Sequence, residues 1–249
     1  MSLLGVQRDG SGPLLVWLHG FTQTKSTGHQ FRSILAGQYE VLTVDLPGHG
    51  ENANVTASLD ETADLLVDAL PTEPFILAGY SLGGRVALHV ALRHPERVSQ
   101  LSLLSATAGI ANDDERQARR ERDEALATRI ESIRTEEFLD EWLAQPMFSS
   151  LPPDPRERAA RSSNAKGLAG SLRHAGTGTQ AWLGARLNEL TMPTTIVAGA
   201  SDAKFVTEAE RLAGYIPCAS ISVVLDAGHA AHLERPEATA SALFGLHPQ

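Results

Sequence analysis

Short apolar runs alternate with longer amphipathic segments along most of the chain. Six of these runs are typical of strands, because they are short, rich in Val, Leu and Ile, and bounded by Gly, Pro, Asp or Ser. They cover residues 14–19, 41–45, 75–79, 98–105, 194–199 and 220–225. The alternation predicts an α/β protein with a mainly parallel sheet and helices on both faces.

One interval departs from this alternation. Residues 109–186 are helix-rich and arginine-rich and contain no strand-like run. We therefore expect a single domain whose core consists of residues 1–108 and 187–249, with residues 109–186 inserted as a helical cap. A cap at this point would lie over the carboxyl edge of the sheet, where such lids determine the substrate and exclude water.

The third run leads into residues 79–85, GYSLGGR, which have the spacing of a nucleophile elbow. Gly79 and Gly83 lack side chains where strand and helix must approach closely. Ser81 would then be exposed above the sheet edge. The N–H of Leu82, at the start of the next helix, would be free to bind an oxyanion.

A nucleophilic serine needs a histidine to take its proton and a carboxylate to orient that histidine. Asp202 follows the fifth run and His229 follows the sixth, which is the chain order expected for a serine of this kind. We therefore predict a triad of Ser81, His229 and Asp202. Asp226 is a rival acid, but it lies three residues before His229 and is better interpreted as a loop-shaping residue.

The loop after the first run is expected to provide a second oxyanion donor, the backbone N–H of Phe21. Two histidines in neighbouring loops, His19 and His49, are interpreted as loop-ordering residues, because His19 directly precedes Gly20 and His49 lies in a tight turn rich in Pro and Gly. They are not assigned a catalytic role.

The composition limits the kinds of molecule that the protein is expected to bind. The 249 residues carry a net charge of −9, which argues against a nucleic acid or an anionic membrane as partner. The single cysteine, Cys218, allows no intramolecular disulfide, and no run of apolar residues is long enough to span a membrane. We expect a cytoplasmic, soluble enzyme that acts on a small molecule without metal or cofactor, as a monomer or weak homo-oligomer.

The helical cap contains 11 arginines, most of which are expected on a solvated helix surface. Arg119 is an exception. It shares one face of a helix predicted over 114–134 with three apolar residues, Leu126, Ile130 and Ile133. An arginine directed toward the protein interior requires an anion, so Arg119 is a candidate ligand for an acidic substrate.

Arg85 is the arginine closest in sequence to the expected nucleophile. It lies four residues after Ser81, about one helical turn away on nearly the same face, so it can reach the floor of the site. A guanidinium there predicts a bidentate pair with a substrate carboxylate. The alternative is an ion pair with a purely structural role.

Two further cap residues are candidates for the pocket. Trp142 forms either a pocket wall or ordinary packing. Arg161 is a possible anion ligand, with Arg156 and Arg158 as close competitors.

Taken together, these motifs resemble the 2-succinyl-6-hydroxy-2,4-cyclohexadiene-1-carboxylate synthases of menaquinone biosynthesis. In the core the similarity rests on residues 18–21 (LHGF), 45–50 (DLPGHG), 79–85 (GYSLGGR), 202–205 (DAKF) and 227–232 (AGHAAH). The segment 79–85, with its Tyr80 and Arg85, and the segment 202–205 are the most specific. In the cap the match rests on Arg119 and on residues 142–148 and 161–164.

The resemblance implies an α/β-hydrolase fold and a lyase that eliminates pyruvate from a cyclohexene bearing carboxylate, succinyl and enolpyruvyl groups. In this family Ser81 would act as the base, after His229 removes its proton. The implied substrate ligands are Tyr80, Arg85, Arg119, Trp142 and Arg161. A serine carboxylesterase working through an acyl-enzyme is the main rival, because fold and triad alone cannot separate the two. A binding protein of the same fold is a further alternative.

Overall fold

A computed structural model describes residues 5–246. Within these residues the centre of the molecule is a seven-stranded sheet in the order β1-β3-β2-β4-β5-β6-β7. The strands are β1 (Val6–Asp9), β2 (Leu14–Leu18), β3 (Glu40–Val44), β4 (Phe75–Tyr80), β5 (Val98–Leu104), β6 (Thr194–Gly199) and β7 (Ala219–Val224). Strand β1 is antiparallel to β3, and the other neighbours are parallel.

Helices connect the parallel strands and cover both faces of the sheet. They are α1 (His29–Ala36), α2 (Leu59–Ala69), α3 (Leu82–Arg93), α4 (Asp113–Ser132), α5 (Thr135–Leu143), α6 (Pro155–Ala159), α7 (Ala165–Ala175), α8 (Ala203–Ala213), α9 (Ala231–Glu234) and α10 (Pro236–Phe244). One apolar cluster lies between the sheet and α2, α3 and α8, and a second between the sheet and α1 and α10. The inner strands β2 to β6 are therefore largely buried on both faces, whereas Ile221 and Val223 of the edge strand β7 are exposed.

The six strands expected from the sequence are present, each within about one residue at its ends, and β6 begins and ends as predicted. The sheet also has an edge strand, β1, that the sequence did not indicate. Its sequence, VQRD, contains one apolar residue, Val6, and alternates between half-buried and exposed positions. An edge strand of this kind gives almost no hydrophobic signal.

Between β5 and β6 the chain forms α4, α5, α6 and α7, and no strand occurs in this part of residues 5–246. A small apolar cluster joins α4, α5 and α7; it includes Ala127, Ile130, Phe138, Leu139, Leu168 and Leu172. Leu183 and Leu187 pack instead into the main core. The expected cap boundaries at residues 109 and 186 stay a prediction.

Helix α4 ends two residues before its predicted end. It stops at Ser132, and Ile133 is extended, with φ −127° and ψ 171°. The buried row of α4 is Asp123, Ala127 and Ile130, whereas the predicted stripe members Leu126 and Ile133 are only partly buried. Within the described residues, no helix has the length and apolar character needed to cross a membrane.

Candidate active site

Ser81 lies on a sharp turn between β4 and α3. Its backbone has φ 52° and ψ −105°, a conformation that a residue with a β-carbon rarely adopts. A β-carbon on Gly79 would collide with the backbone of Gly83, and one on Gly83 with the backbone of Leu18. The expectation that both glycines are needed for close approach is confirmed, and strain of this kind is typical of functional sites.

The structure brings Ser81, His229 and Asp202 together at the carboxyl edge of the sheet. The His229 Nδ1–H donates to Asp202 Oδ2 at 2.7 Å, and Nε2 lies 3.2 Å from the Ser81 hydroxyl, which donates to it. A carboxylate only accepts hydrogen bonds, so this pairing fixes the imidazole tautomer that can take the serine proton. Asp226, the rival acid, is exposed and has a left-handed φ of 54°. Within residues 5–246 the carboxylate paired with His229 is that of Asp202, and no hydrogen bond joins Asp226 to His229.

A buried carboxylate that the sequence did not single out holds the His229 loop. Glu234 accepts from the Gly228 N–H at 2.6 Å and from the Ala230 N–H at 3.1 Å, the two amides on either side of His229. The Ser105 hydroxyl donates to the His229 carbonyl at 3.0 Å. These bonds orient the imidazole, and they depend on a short helix, α9, whose position was not readable from the sequence.

The predicted oxyanion donors are the backbone N–H groups of Phe21 and Leu82. Leu82 is the first residue of α3, and Phe21 lies in the loop after β2. Within the described part of the chain, neither N–H donates to a protein acceptor. Both residues line the same cavity as Ser81, as expected for a pair of oxyanion donors.

This cavity has a volume of about 830 Å³ and lies between the sheet edge and the cap. Its basic residues are Arg85, Arg119, Arg122, Lys204 and Arg211. Its acidic residues are Glu115, Asp123 and Glu208. The apolar part of the wall includes Leu126, Trp142, Met147, Phe148, Leu172 and Phe205. A site of this size and lining can hold a small molecule that is both carboxylated and partly apolar.

Arg85 reaches this cavity and is nearly fully buried. Its Nη1 donates to the Ala175 carbonyl at 2.8 Å and to Gln180 Oε1 at 3.4 Å. None of the described carboxylates forms an ion pair with it. Burial, with a smaller contribution from the nearby Arg119, lowers the pKa of Arg85 to about 10, so the guanidinium still carries its charge at neutral pH. The structural ion pair considered from the sequence is therefore absent within residues 5–246, and the charge is available to an anion.

Arg119 also lines the cavity, but its charge is already partly balanced. Its Nε donates to Asp123 Oδ1 at 2.7 Å, and Asp123 is buried and also accepts from the Gly178 N–H at 3.0 Å. This pair leaves the two terminal nitrogens of Arg119 without a protein acceptor in the described chain. Arg122, which the helical pattern did not select, lines the cavity as well.

Tyr80 and Trp142 both contribute to the cavity wall. The Tyr80 ring lies 5.3 Å from the His229 ring and 4.4 Å from the His232 ring, and burial raises the pKa of its hydroxyl. Trp142 packs edge-on against Phe21, with 5.1 Å between ring centroids. These contacts form an aromatic wall around Ser81.

Arg161 is not among the described residues that line the cavity, and its role as a substrate ligand stays a prediction. It is buried, and its Nη1 donates to the Thr22 hydroxyl at 2.6 Å. Burial lowers its pKa. The contact with Thr22 could not be predicted, because Thr22 lies 139 residues away in sequence and no local pattern shows that the two side chains meet. The competitors Arg156 and Arg158 are not cavity residues either.

The three other histidines near the site are structural and neutral. The His19 Nδ1–H donates to the Gly20 carbonyl at 2.9 Å and its Nε2 accepts from the Leu46 N–H at 3.0 Å, which agrees with a loop-ordering role. His49 Nδ1 donates to the Pro47 carbonyl. Burial lowers the pKa of His19 to about 4 and those of His49 and His232 to about 3.

Comparison with known proteins agrees with this geometry. Residues 15–242 match the alpha/beta hydrolase family. The 2-succinyl-6-hydroxy-2,4-cyclohexadiene-1-carboxylate synthase of Photorhabdus laumondii is 36% identical, over 88% of this chain and 80% of its own. The synthase of the same name from Enterobacter sp. (strain 638) is 35% identical, over 98% and 95%.

Comparison with solved structures leads to the same family. MenH from S. aureus has a TM-score of 0.88 and 32% identity, covering 96% of each chain. A thermophilic esterase from Thermogutta terrifontis, with malate bound, has a TM-score of 0.74 and 25% identity, covering 96% of this chain and 90% of its own. The family model and the curated relatives both match the chain over most of its length. The chain therefore belongs to the α/β-hydrolase family of enzymes and, within it, to the 2-succinyl-6-hydroxy-2,4-cyclohexadiene-1-carboxylate synthases.

Proposed function

We propose that this enzyme eliminates pyruvate from a cyclohexene that bears carboxylate, succinyl and enolpyruvyl groups, and forms 2-succinyl-6-hydroxy-2,4-cyclohexadiene-1-carboxylate for menaquinone biosynthesis. The observation that carries the proposal is Arg85. It is a buried guanidinium in the same cavity as Ser81, and within residues 5–246 no carboxylate pairs with it. An unpaired buried charge is costly, so a substrate carboxylate is the partner that best accounts for it.

In the proposed reaction Ser81 acts as a base. His229 Nε2 takes the hydroxyl proton of Ser81, and the serine oxygen removes the ring proton beside the succinyl ketone. The electron pair released from this C–H bond moves through the ring double bond and breaks the C–O bond to the enolpyruvyl group. The departing enolpyruvate gains a proton and becomes pyruvate. No bond forms between carbon and Ser81, and the step needs no water or other co-reactant.

Negative charge develops on the succinyl ketone oxygen as the ring proton leaves. The N–H groups of Phe21 and Leu82 are the donors we assign to this oxygen, because both border the cavity beside Ser81. Loss of one donor in such a site typically costs about 3 to 4 kcal/mol of transition-state stabilisation.

The substrate carboxylates are assigned to basic residues of the cavity wall. Arg85 binds one on the floor, and the terminal nitrogens of Arg119 bind another at the cap side. Tyr80 and Trp142 shape the space around the ring. The malate bound to the Thermogutta terrifontis esterase adds support, because a related scaffold there holds a dicarboxylate.

The experiment is an assay of the purified enzyme with the enolpyruvyl substrate, in which pyruvate release is followed through a coupled dehydrogenase. A nitrophenyl ester is the parallel substrate, because a serine carboxylesterase would hydrolyse it through an acyl-enzyme. We expect rapid pyruvate release and slow ester turnover. Fast ester turnover without any pyruvate would refute the elimination and favour the esterase.

A further inference from the structure

Helix α4 of the cap carries a buried carboxylate close to two guanidiniums of the cavity. Asp123 is 5% exposed and lies one helical turn after Arg119. Burial lowers the pKa of Arg85, the positive charge of Arg119 lowers it further, and the negative charge of Asp123 raises it. The three charges therefore lie close enough to act on one another. An aspartate is rarely buried unless it is paired, so the partners of Asp123 indicate what it holds in place.

Each oxygen of Asp123 has a different partner. Oδ1 accepts from Arg119 Nε at 2.7 Å, and Oδ2 accepts from the Gly178 N–H at 3.0 Å. Gly178 belongs to a turn formed by residues 175–178 at the end of α7. A β-carbon on Gly178 would collide with the backbone of Arg120, so this turn packs directly against α4. The carboxylate therefore joins the side chain of Arg119 to the turn.

The same turn begins where Arg85 is bound. Arg85 Nη1 donates to the carbonyl of Ala175, the last residue of α7, at 2.8 Å. A β-carbon on the next residue, Gly176, would lie 2.7 Å from Asp123 Oδ2. The turn therefore binds Arg85 at one end and, through Asp123, Arg119 at the other. The two arginines come from α3 of the core and α4 of the cap, and this short segment relates their positions.

The pairing with Asp123 leaves the outer part of the Arg119 guanidinium available. Nε faces Asp123, so the two terminal nitrogens can donate together to a carboxylate in the cavity that Arg119 lines. The Arg119 side chain is 33% exposed, and without a fixed partner it would have many conformations to lose on binding. A group that is held before the ligand arrives binds it more tightly, because less conformational entropy is lost.

We propose that Asp123 is a positioning residue that holds Arg119 against the turn 175–178 and so fixes the distance between the Arg119 and Arg85 guanidiniums. The inference rests on the proposed function in taking these arginines as ligands of two substrate carboxylates. It makes Asp123 a determinant of specificity for dicarboxylates, because only a ligand with two carboxylates at the matching distance meets both guanidiniums.

The test combines Asp123→Asn, Arg119→Gln, the double variant of these two changes, and Arg119→Lys. Asp123→Asn keeps the shape of the side chain but removes its charge and one acceptor atom. Glu124→Gln is the matched control, because Glu124 is the next residue of α4, is exposed, is paired with Arg173 and does not line the cavity. Near-ultraviolet circular dichroism and the melting temperature identify variants that have lost the fold.

Three quantities are measured for each folded variant. The first is kcat and KM for pyruvate release. The second is the dissociation constant of 2-(3-carboxypropanoyl)benzoate, measured by isothermal titration calorimetry. This stable aromatic analogue carries the ring carboxylate and the succinyl group but has no enolpyruvyl group to eliminate. The third is hydrolysis of uncharged nitrophenyl acetate, which depends on the triad but not on carboxylate ligands.

We expect Asp123→Asn to raise KM and the dissociation constant of the analogue by about three- to tenfold, with kcat and ester hydrolysis little changed. Arg119→Lys should resemble Arg119→Gln rather than the wild type, because one ammonium cannot pair with Asp123 and also present two donors to the ligand. The double variant should bind no more weakly than Arg119→Gln, since Asp123 acts through Arg119. Glu124→Gln should match the wild type.

The opposite sign would overturn the proposal. If Asp123→Asn tightened binding of the analogue, Asp123 would compete with the ligand for Arg119. If the effects of Asp123→Asn and Arg119→Gln multiplied, or if ester hydrolysis fell as much as pyruvate release, Asp123 would support the cap as a whole. If Asp123→Asn lost the fold, wild-type binding by Arg119→Lys would overturn the proposal. Wild-type enzyme that binds the analogue but releases no pyruvate would refute the proposed function alone.

Discussion

The sheet edge and the cap contribute to the same cavity, but they hold their functional groups in different ways. On the sheet edge, Ser81, His229 and Asp202 occupy loops at the ends of strands and are joined to each other by hydrogen bonds of 2.7 and 3.2 Å. In the cap, Arg119 and Arg122 lie along one helix that has only Asp123, Ala127 and Ile130 buried.

In the proposed function this difference separates chemistry from recognition. The proposed reacting groups lie at strand ends of a sheet that is packed between two large apolar clusters. The charges proposed to bind the substrate are divided between that part and a cap with a small core of its own. Arg85 connects the sheet edge with the cap. It belongs to α3, and it donates to the Ala175 carbonyl at the end of the cap helix α7. Variants in the two regions should therefore fail in different ways.

The largest effect is expected at the sheet edge. Ser81→Ala removes the proposed base and should lower kcat for pyruvate release by about 10²- to 10⁴-fold, with KM little changed, since the carboxylate ligands remain. Steady-state kinetics with the coupled dehydrogenase measures both constants. A variant that kept wild-type kcat would show that Ser81 takes no part in the elimination.

Arg85→Met should have the next largest effect and should separate the two substrates. It removes a buried hydrogen bond donor for a carboxylate, so kcat/KM for the carboxylated substrate is expected to fall by about 10- to 100-fold while ester hydrolysis is retained. Arg93→Met is the control on the same helix, because Arg93 is more exposed and is paired with Asp64. Equal losses on both substrates would make Arg85 a structural residue.

A smaller effect is expected for Arg119→Gln, because this side chain is partly exposed and already paired with Asp123. We expect KM for the carboxylated substrate to rise by up to about tenfold with kcat nearly unchanged. Arg120→Gln is the matched control, since Arg120 is the next residue of α4 but does not line the cavity. If both variants behaved alike, the helical face of Arg119 would have no bearing on recognition.

The smallest effect on the active site is expected from the buried histidines around it, which influence the free energy of unfolding. The folded-state pKa of His49 is about 3, well below its usual 6.5, so the unfolded chain binds the proton first as pH falls. The free energy of unfolding should therefore decrease as the pH falls from about 6.5 to 3, and His49 should account for about 2 kcal/mol of the difference between pH 7.5 and 5.

Urea unfolding of the wild type and of His49→Gln at these two pH values measures this contribution. The pH dependence should be smaller in the variant. An unchanged pH dependence would mean that His49 is already protonated in the folded protein at pH 5.

The sequence predicted the parts of the molecule that depend on local patterns. The strands β2 to β6 were recognisable because both faces of this part of the sheet are covered, which leaves nearly continuous apolar runs. The order of Ser81, Asp202 and His229 followed from a motif and from strand ends. The family indicated by the segments 79–85 and 202–205 is confirmed by relatives at 35–36% identity.

The remaining features depend on contacts between distant segments. Glu234 orients the His229 loop through a short helix, and Arg161 meets Thr22 across 139 residues. Asp123 is a charged residue in the buried row of α4, which a hydrophobic pattern assigns to solvent. Strand β1 contains too few apolar residues to be recognised. Each of these features is visible only when the partner segment is in place.

The most direct test of the account concerns the role of Ser81 as a base. Wild-type enzyme is given the enolpyruvyl substrate with deuterium at the ring carbon that bears the succinyl group, and pyruvate release is compared with that from the protiated substrate. If Ser81 is the base, pyruvate release is slower from the deuterated substrate, and the intact mass of the enzyme is unchanged during turnover. Equal rates together with an acyl group on Ser81 would contradict the account and would make the serine a nucleophile.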